Sequence, residues 1–104
     1  MAFKTLFLAH APDADKEKHR SLIETKMYKL FSVIVKNQEE ALEVCKDFVK
    51  KENIDSILLC PGFTNNDVGE IARSAGKNVA VSVARGDGPS SKVSLEARKR
   101  EGYL

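Results

Sequence analysis

One cysteine and two histidines are the residues with the clearest chemical potential in this chain. Cys60 and His10 each stand at the end of a short apolar run, and His19 follows the first of these runs. A thiol near a histidine and a helix N-terminus can ionise and act as a nucleophile. Cys60, His10 and His19 are therefore the candidate catalytic residues. Packing is the simpler role for Cys60, because it is in phase with Leu58 on an apolar segment.

Arg85 is the main candidate for anion binding. Its guanidinium presents a fork that suits a carboxylate or a phosphate, and the glycines and serines that follow it can complete an anion cradle. This loop is not a Walker loop, since Ser91 and Val93 stand where that motif requires Gly and Ser or Thr. Thr64 can bind a polar ligand or cap a helix. The predicted ligand-binding residues are Arg85, Arg20, His19, Gly62, Phe63, Thr64 and Asn65.

The spacing of potential metal ligands predicts no metal site. His10, His19 and Cys60 are suitable ligand types, but the chain has neither a CxxC nor an HxxxH pattern. The loop after Arg85 does not match the dinucleotide-binding fingerprint, because it follows the last predicted strand and only Gly86 and Gly88 match the motif. We therefore expect no metal and no cofactor.

Four apolar segments predict the strands that position these residues. The segments are short, rich in β-branched residues or alternating, and bounded by turn residues. The predicted strands cover residues 3–10, 28–36, 56–60 and 78–84.

Four helices are predicted around these strands. The clearest begins after Asn37, where Glu40 completes a capping-box pattern. Another is expected before residue 28, because His19, Leu22 and Ile23 have helical spacing. The remaining two are expected from about residue 66 to a cap at 76, and over residues 92–100.

Alternating strands and helices favour a single α/β domain over residues 1–104. We expect a small three-layer sandwich in which flanking helices cover both faces of a mostly parallel four-stranded sheet, flavodoxin-like or Rossmann-like. In such sheets ligands bind beyond the carboxyl ends of the strands. We expect residues 92–104 to form a helix that docks on the domain or contacts a partner.

Composition narrows the function classes. The 104 residues include 17 Lys plus Arg and 15 Asp plus Glu, too near balance for a nucleic-acid binder, and the basic run at Arg98 is typical of a solvated helix end. No apolar run approaches the ~18 residues of a membrane span. Two cysteines do not make a disulfide framework, so we expect a cytoplasmic protein. Its small core favours a homodimer or a higher homo-oligomer.

The chain contains five short motifs: Ala11-Pro12 before Asp13, His19-Arg20, Val35-Lys36-Asn37, Cys60-Pro61-Gly62-Phe63 and Arg85 after a valine-rich segment. Taken together, they resemble a family of small microbial proteins known only as a domain of unknown function. The resemblance covers about 85 residues and implies an α/β fold without supplying an activity. The family pattern has Cys-Gly-Gly-Phe where this chain has Cys60-Pro61-Gly62-Phe63. Pro61 has no N–H to offer a ligand.

The sequence is compatible with three functions, and one of the three is enzymatic. The first is binding of a small polar or anionic metabolite at the carboxyl ends of the strands, with Arg85 as the anchor. The second is a thiol-dependent enzyme that uses Cys60. The third is an oligomeric protein-interaction domain with no small ligand, in which the terminal helix and an exposed strand edge make the contacts.

Overall fold

The computed structural model describes residues 1–104 and is an α/β structure with one five-stranded sheet and three helices. The predicted α/β class is confirmed. The elements are β1 (Phe3–His10), β2 (Arg20–Glu24), β3 (Tyr28–Val35), α1 (Gln38–Glu52), β4 (Ser56–Leu59), α2 (Asn65–Ala75), β5 (Ala80–Val83) and α3 (Ser91–Arg100).

The sheet is mixed, with strand order β2-β3-β1-β4-β5. β1 lies at its centre and pairs in parallel with β3 and with β4, and β4 pairs in parallel with β5. β2 is antiparallel to β3. The prediction of a mostly parallel sheet is therefore confirmed, whereas the prediction of four strands is wrong by one.

The additional strand is β2, in a segment for which the sequence predicts a helix. Leu22 pairs with Phe31 and Ile23 with Leu30, so β2 forms a hairpin with β3. The hydroxyl of Thr25 closes the turn by accepting hydrogen bonds from the N–H groups of residues 27 and 28. Three residues at helical spacing are too few to establish a helical period in this segment. Residues 20–24 form a strand because they pair with the longer neighbouring strand β3.

The core lies on one face of the sheet only. Leu6 and Leu8 of β1 are fully buried, as are Ile57 and Leu59 of β4. α1 and α2 both pack against this face and against each other. The structure therefore has two layers, and the prediction of a three-layer sandwich is wrong because both crossover helices lie on the same side.

The opposite face of the sheet, here called the open face, consists of the alternate strand positions. It begins with Phe3 and Tyr28, whose rings stack with their centroids 5.9 Å apart. Phe3 is 53% exposed, and Ile23 is 64% exposed. No helix packs across this face, and α3 has no buried residue.

The predicted N-cap of α1 and the predicted C-cap of α2 are confirmed, but the predicted capping box of α1 is incomplete, because the Glu40 carboxylate accepts from the N–H of Lys36 and not from that of Asn37. The side chain of Asn37 accepts a hydrogen bond from the N–H of Glu40 at the start of α1. At the end of α2, Gly76 has φ of 88°, a conformation that favours glycine. Neither these helices nor α3 is long and apolar enough to cross a membrane.

Gly86 allows the loop before α3 to lie against the loop after β4. A Cβ atom at position 86 would lie 2.6 Å from the Cβ of Pro61, which is closer than real Cβ contacts. Gly88, two residues further on, has open space around it. The two loops can therefore touch only because residue 86 has no side chain.

We predict that Gly86→Ala lowers the free energy of unfolding by about 1–3 kcal/mol, since one loop must shift to relieve the overlap with Pro61. The matched control Gly88→Ala should change it by less than about 0.5 kcal/mol. Urea unfolding of both variants measures the difference. Equal effects would contradict the proposed close contact.

Candidate functional site

A cleft of about 430 Å³ lies at the carboxyl ends of β1, β4 and β5. Its walls come from the ends of these strands, from the loop before α3 and from α3 itself. The cleft is lined by Ala9, His10, Cys60, Pro61, Gly62, Arg85, Gly86, Gly88, Ser90, Ser91, Ser94, Arg98 and Tyr103. Two of these side chains are arginines and none is a carboxylate.

Strand register places Cys60 beside His10. Leu8 of β1 is registered with Leu59 of β4, and the N–H of Cys60 donates to the carbonyl of Leu8 at 3.0 Å. The Cys60 Sγ then lies 4.0 Å from the His10 Nδ1. A Cβ at Gly62 would lie 3.0 Å from that same nitrogen, so glycine leaves room for the imidazole.

The surroundings of His10 favour its neutral form. Its ring stacks on Phe63, with the centroids 4.1 Å apart. Partial burial lowers the pKa of His10 below its ordinary value of 6.5, and the negative charge of Asp67 opposes this shift. A neutral imidazole can accept the proton of a nearby thiol. The other cysteine, Cys45, is buried in α1, and burial raises the pKa of its thiol to about 12.

Arg98 is the functional candidate that sequence reasoning missed. It lies on the cleft-facing side of α3 together with Ser91 and Ser94, which precede it by two turns and by one turn. Its Nε is buried, and no protein acceptor lies within hydrogen-bond distance. The i, i+3, i+7 spacing of these three residues places them on one side of the helix and could have identified Arg98 from the sequence. The basic run of residues 98–100 favoured a solvated helix end instead.

Arg85, the predicted anchor, forms a salt bridge with Asp87. Its Nε donates to Asp87 Oδ1 at 2.9 Å, and its second guanidinium nitrogen donates to Oδ2 at 3.1 Å. The hydrogen bonds from Arg85 are the largest cause of the lowered pKa of Asp87. Both side chains are largely exposed, at 82% and 70%. Exposed pairs of this kind contribute little to stability, so an incoming anion can exchange with Asp87 at small cost.

His19 and Arg20 lie away from the cleft. The Nδ1 of His19 accepts a hydrogen bond from the N–H of Asp15 at 2.8 Å in the turn before β2. The guanidinium of Arg20 lies over the ring of Phe48 on α1, 5.7 Å from its centroid. The structure therefore separates these two residues from Cys60, because their segment is a hairpin strand rather than a helix that returns to the strand ends.

The residues that follow Gly62 lead into α2 and cap its first turn. Phe63 is 5% exposed and supports His10 from the core side. The Thr64 hydroxyl accepts from the N–H of Asp67, whose carboxylate accepts from the N–H of Thr64. This capping box gives Thr64 a structural role. Asn65 is the exposed first residue of α2 and does not line the cleft.

Metal-ligand side chains do not converge anywhere in the structure. No group of three His, Cys, Asp or Glu side chains is close enough together to hold a metal ion. His10 and Cys60 lie together, but His19 is held in the turn before β2.

The comparisons with known proteins identify a family without a known activity. No curated protein and no solved structure matches the chain. One family model, described as "Family of unknown function (DUF6506)", matches residues 3–97, which include every strand and most of α3. This agrees with the resemblance drawn from the sequence motifs. The chain therefore belongs to the DUF6506 family of unknown function.

Proposed function

We propose that this protein binds a small anionic metabolite in the cleft at the carboxyl ends of β1, β4 and β5. The observation that carries the proposal is the charge of the lining, which contains Arg85 and Arg98 but no Asp or Glu. The chain as a whole has 17 basic and 15 acidic residues. Asp87 offsets the charge of Arg85, whereas Arg98 forms no salt bridge, so the uncompensated positive charge of the cleft is that of Arg98.

Arg98 supports the proposal most strongly. A buried guanidinium N–H without an acceptor costs free energy, and a bound carboxylate or phosphate would remove that cost. The bond formed would be charge-assisted and correspondingly strong. Arg98 thus replaces Arg85 as the principal anchor, while Arg85 becomes a second, exchangeable contact.

The N-terminus of α3 adds to the positive potential of the cleft. Ser90 precedes this helix without a side-chain cap, and the first turn contains no acidic residue. α1 and α2, by contrast, both have acidic residues in their first turns and side-chain caps. An anion near Ser91 would interact favourably with the positive end of the α3 dipole.

The size of the cleft limits the ligand to a small molecule. A volume of about 430 Å³ is at the lower end of the ~300–1,000 Å³ typical of small-molecule sites. Short carboxylates, inorganic phosphate and monophosphorylated sugars have suitable size and charge.

The Cys60–His10 pair favours a second candidate function, thiol chemistry on the bound anion. In this reaction the Cys60 proton would pass to His10 Nδ1 while the sulfur adds to a carbonyl carbon of the ligand. The C–S bond forms as the C=O π electron pair moves onto the oxygen, and His10 then returns the proton to that oxygen. Partial burial lowers the pKa of His10 and so favours the neutral imidazole, which can accept this proton. The separation of 4.0 Å must shorten on ligand binding for efficient transfer.

Thermal unfolding with inorganic phosphate, ribose 5-phosphate and succinate tests the binding function. We expect at least one of them to stabilise the protein, by about 2.7 kcal/mol at 100 times its dissociation constant. Arg98→Gln should weaken that binding at least about tenfold because the charge-assisted bond is lost. The matched control is Arg100→Gln on the same helix, where the Arg100 Nε already donates to Glu101. Equal weakening in both variants, or no stabilisation by any of the anions, would refute the proposal.

Alkylation by iodoacetamide at neutral pH tests the thiol function. We expect Cys60 to react much faster than the buried Cys45, and His10→Phe to slow the reaction of Cys60 about tenfold. Phenylalanine keeps an aromatic ring against Phe63 and removes only the proton acceptor. Mass spectrometry of the labelled peptides gives both rates. If the rate at Cys60 is the same in the variant and the wild type, His10 does not activate the thiol.

A further inference from the structure

The open face is unusually apolar for a surface in contact with water. Its bulky side chains are Phe3, Phe7, Ile23, Tyr28, Leu30, Ile34 and Leu58, and four of them are at least 37% exposed. No Asp, Glu, Lys or Arg occupies an open-face position within the five strands, although 31% of the chain is charged. A solvated sheet face normally alternates with polar and charged residues. Parallel strands in particular are usually covered on both faces.

We infer that the open face binds the open face of a second copy of this chain, forming a homodimer in which two sheets pack face to face. The inference concerns a surface other than the cleft and does not depend on the proposed ligand. Sheets packed in this way lie about 10 Å apart, with interdigitated side chains between them.

The area of the face is sufficient for a stable dimer. Five strands about 4.8 Å apart, with an average of about six residues of about 3.3 Å each, outline roughly 500 Å². Side-chain relief increases the accessible area beyond this outline. Two such faces together exceed the ~1,000 Å² expected of a specific interface.

The terminal helix of the same chain cannot cover this area. α3 has ten residues and a length of about 15 Å. Its Ser91, Ser94 and Arg98 face the cleft. A second sheet of the same size matches the open face, whereas this short helix does not.

The distribution of side-chain size supports pairing with an identical face. The bulky residues Ile23, Leu30 and Ile34 lie on the β2 and β3 side of β1. Leu58 is the one bulky residue on the β4 and β5 side, where the other open-face residues are the small Ser56, Ala80 and Ser82. A two-fold axis parallel to the strands, passing over β1, places the bulky half of each protomer on the small half of the other. This arrangement is isologous and keeps the spacing of the sheets even.

Sedimentation velocity at low micromolar concentration tests the inference. We expect a species of twice the 11.5 kDa chain mass, with little dependence on salt because the face carries no charge. Ile34→Lys should weaken dimerisation by about a hundredfold or more, since the ammonium group would be buried without a partner. The matched control is Val83→Lys: both side chains are 38% exposed on a strand, but Val83 points to the opposite face.

Two further variants keep the test decisive. Ile23 is 64% exposed on the edge strand β2, so Ile23→Lys replaces Ile34→Lys if the latter fails to give a folded circular-dichroism spectrum. Ser82→Trp should also weaken the dimer, because it enlarges the small half that receives the bulky residues. A monomeric wild type, or a dimer that both lysine variants leave intact, would overturn the inference. A dimer that tolerates Ser82→Trp would overturn the proposed axis.

Discussion

The parallel pairing of β1 with both β3 and β4 is the constraint on which the rest of the structure depends. Leu6 and Leu8 of this central strand are fully buried against the two helices. Shifting the register of β1 by one residue would turn them to the opposite face. The same register brings the ends of β1 and β4 to one edge, so the packing that stabilises the core also places His10 beside Cys60.

The cleft results from the position of α3 at the carboxyl ends of the strands. α3 begins beyond the edge of the sheet, and its polar residues Ser91, Ser94 and Arg98 face the strand ends. Gly86 allows the loop before α3 to lie against Pro61, and this contact closes one side of the cleft. Because α1 and α2 both lie on one face and α3 stays at the strand ends, the second face of the sheet has no cover from its own chain. The cleft and the open face are therefore two consequences of one topology.

Local patterns predicted most of the elements and the place of the cleft. The run at 3–10 was apolar enough to identify β1 with its observed bounds, and Asn37 with Glu40 identified the start of α1. The rule that ligands bind at carboxyl strand ends selected His10, Cys60 and Arg85, all of which line the cleft.

The remaining features depend on the path of the chain and not on local pattern. β2 is a strand because β3 offers it an edge, and no propensity within residues 20–24 reveals that neighbour. In the sequence, Arg98 belongs to a basic run that is typical of a solvated helix end. The loop between β5 and α3 instead directs this helix to the cleft, and a local pattern does not reveal the path of that loop. The single covered face likewise follows from the strand order, which one sequence does not encode in any local motif.

Amide chemical shifts during a titration with inorganic phosphate test the central claim most directly, because they locate the ligand without assuming which residue binds it. We expect saturable shifts of the amides of Cys60, Gly62, residues 86–88 and residues 90–94, together with the Arg98 side-chain Nε–H, and small changes elsewhere. Shifts confined to surface lysines outside the cleft, or shifts that increase without saturation at all basic positions, would contradict an anion site in the cleft.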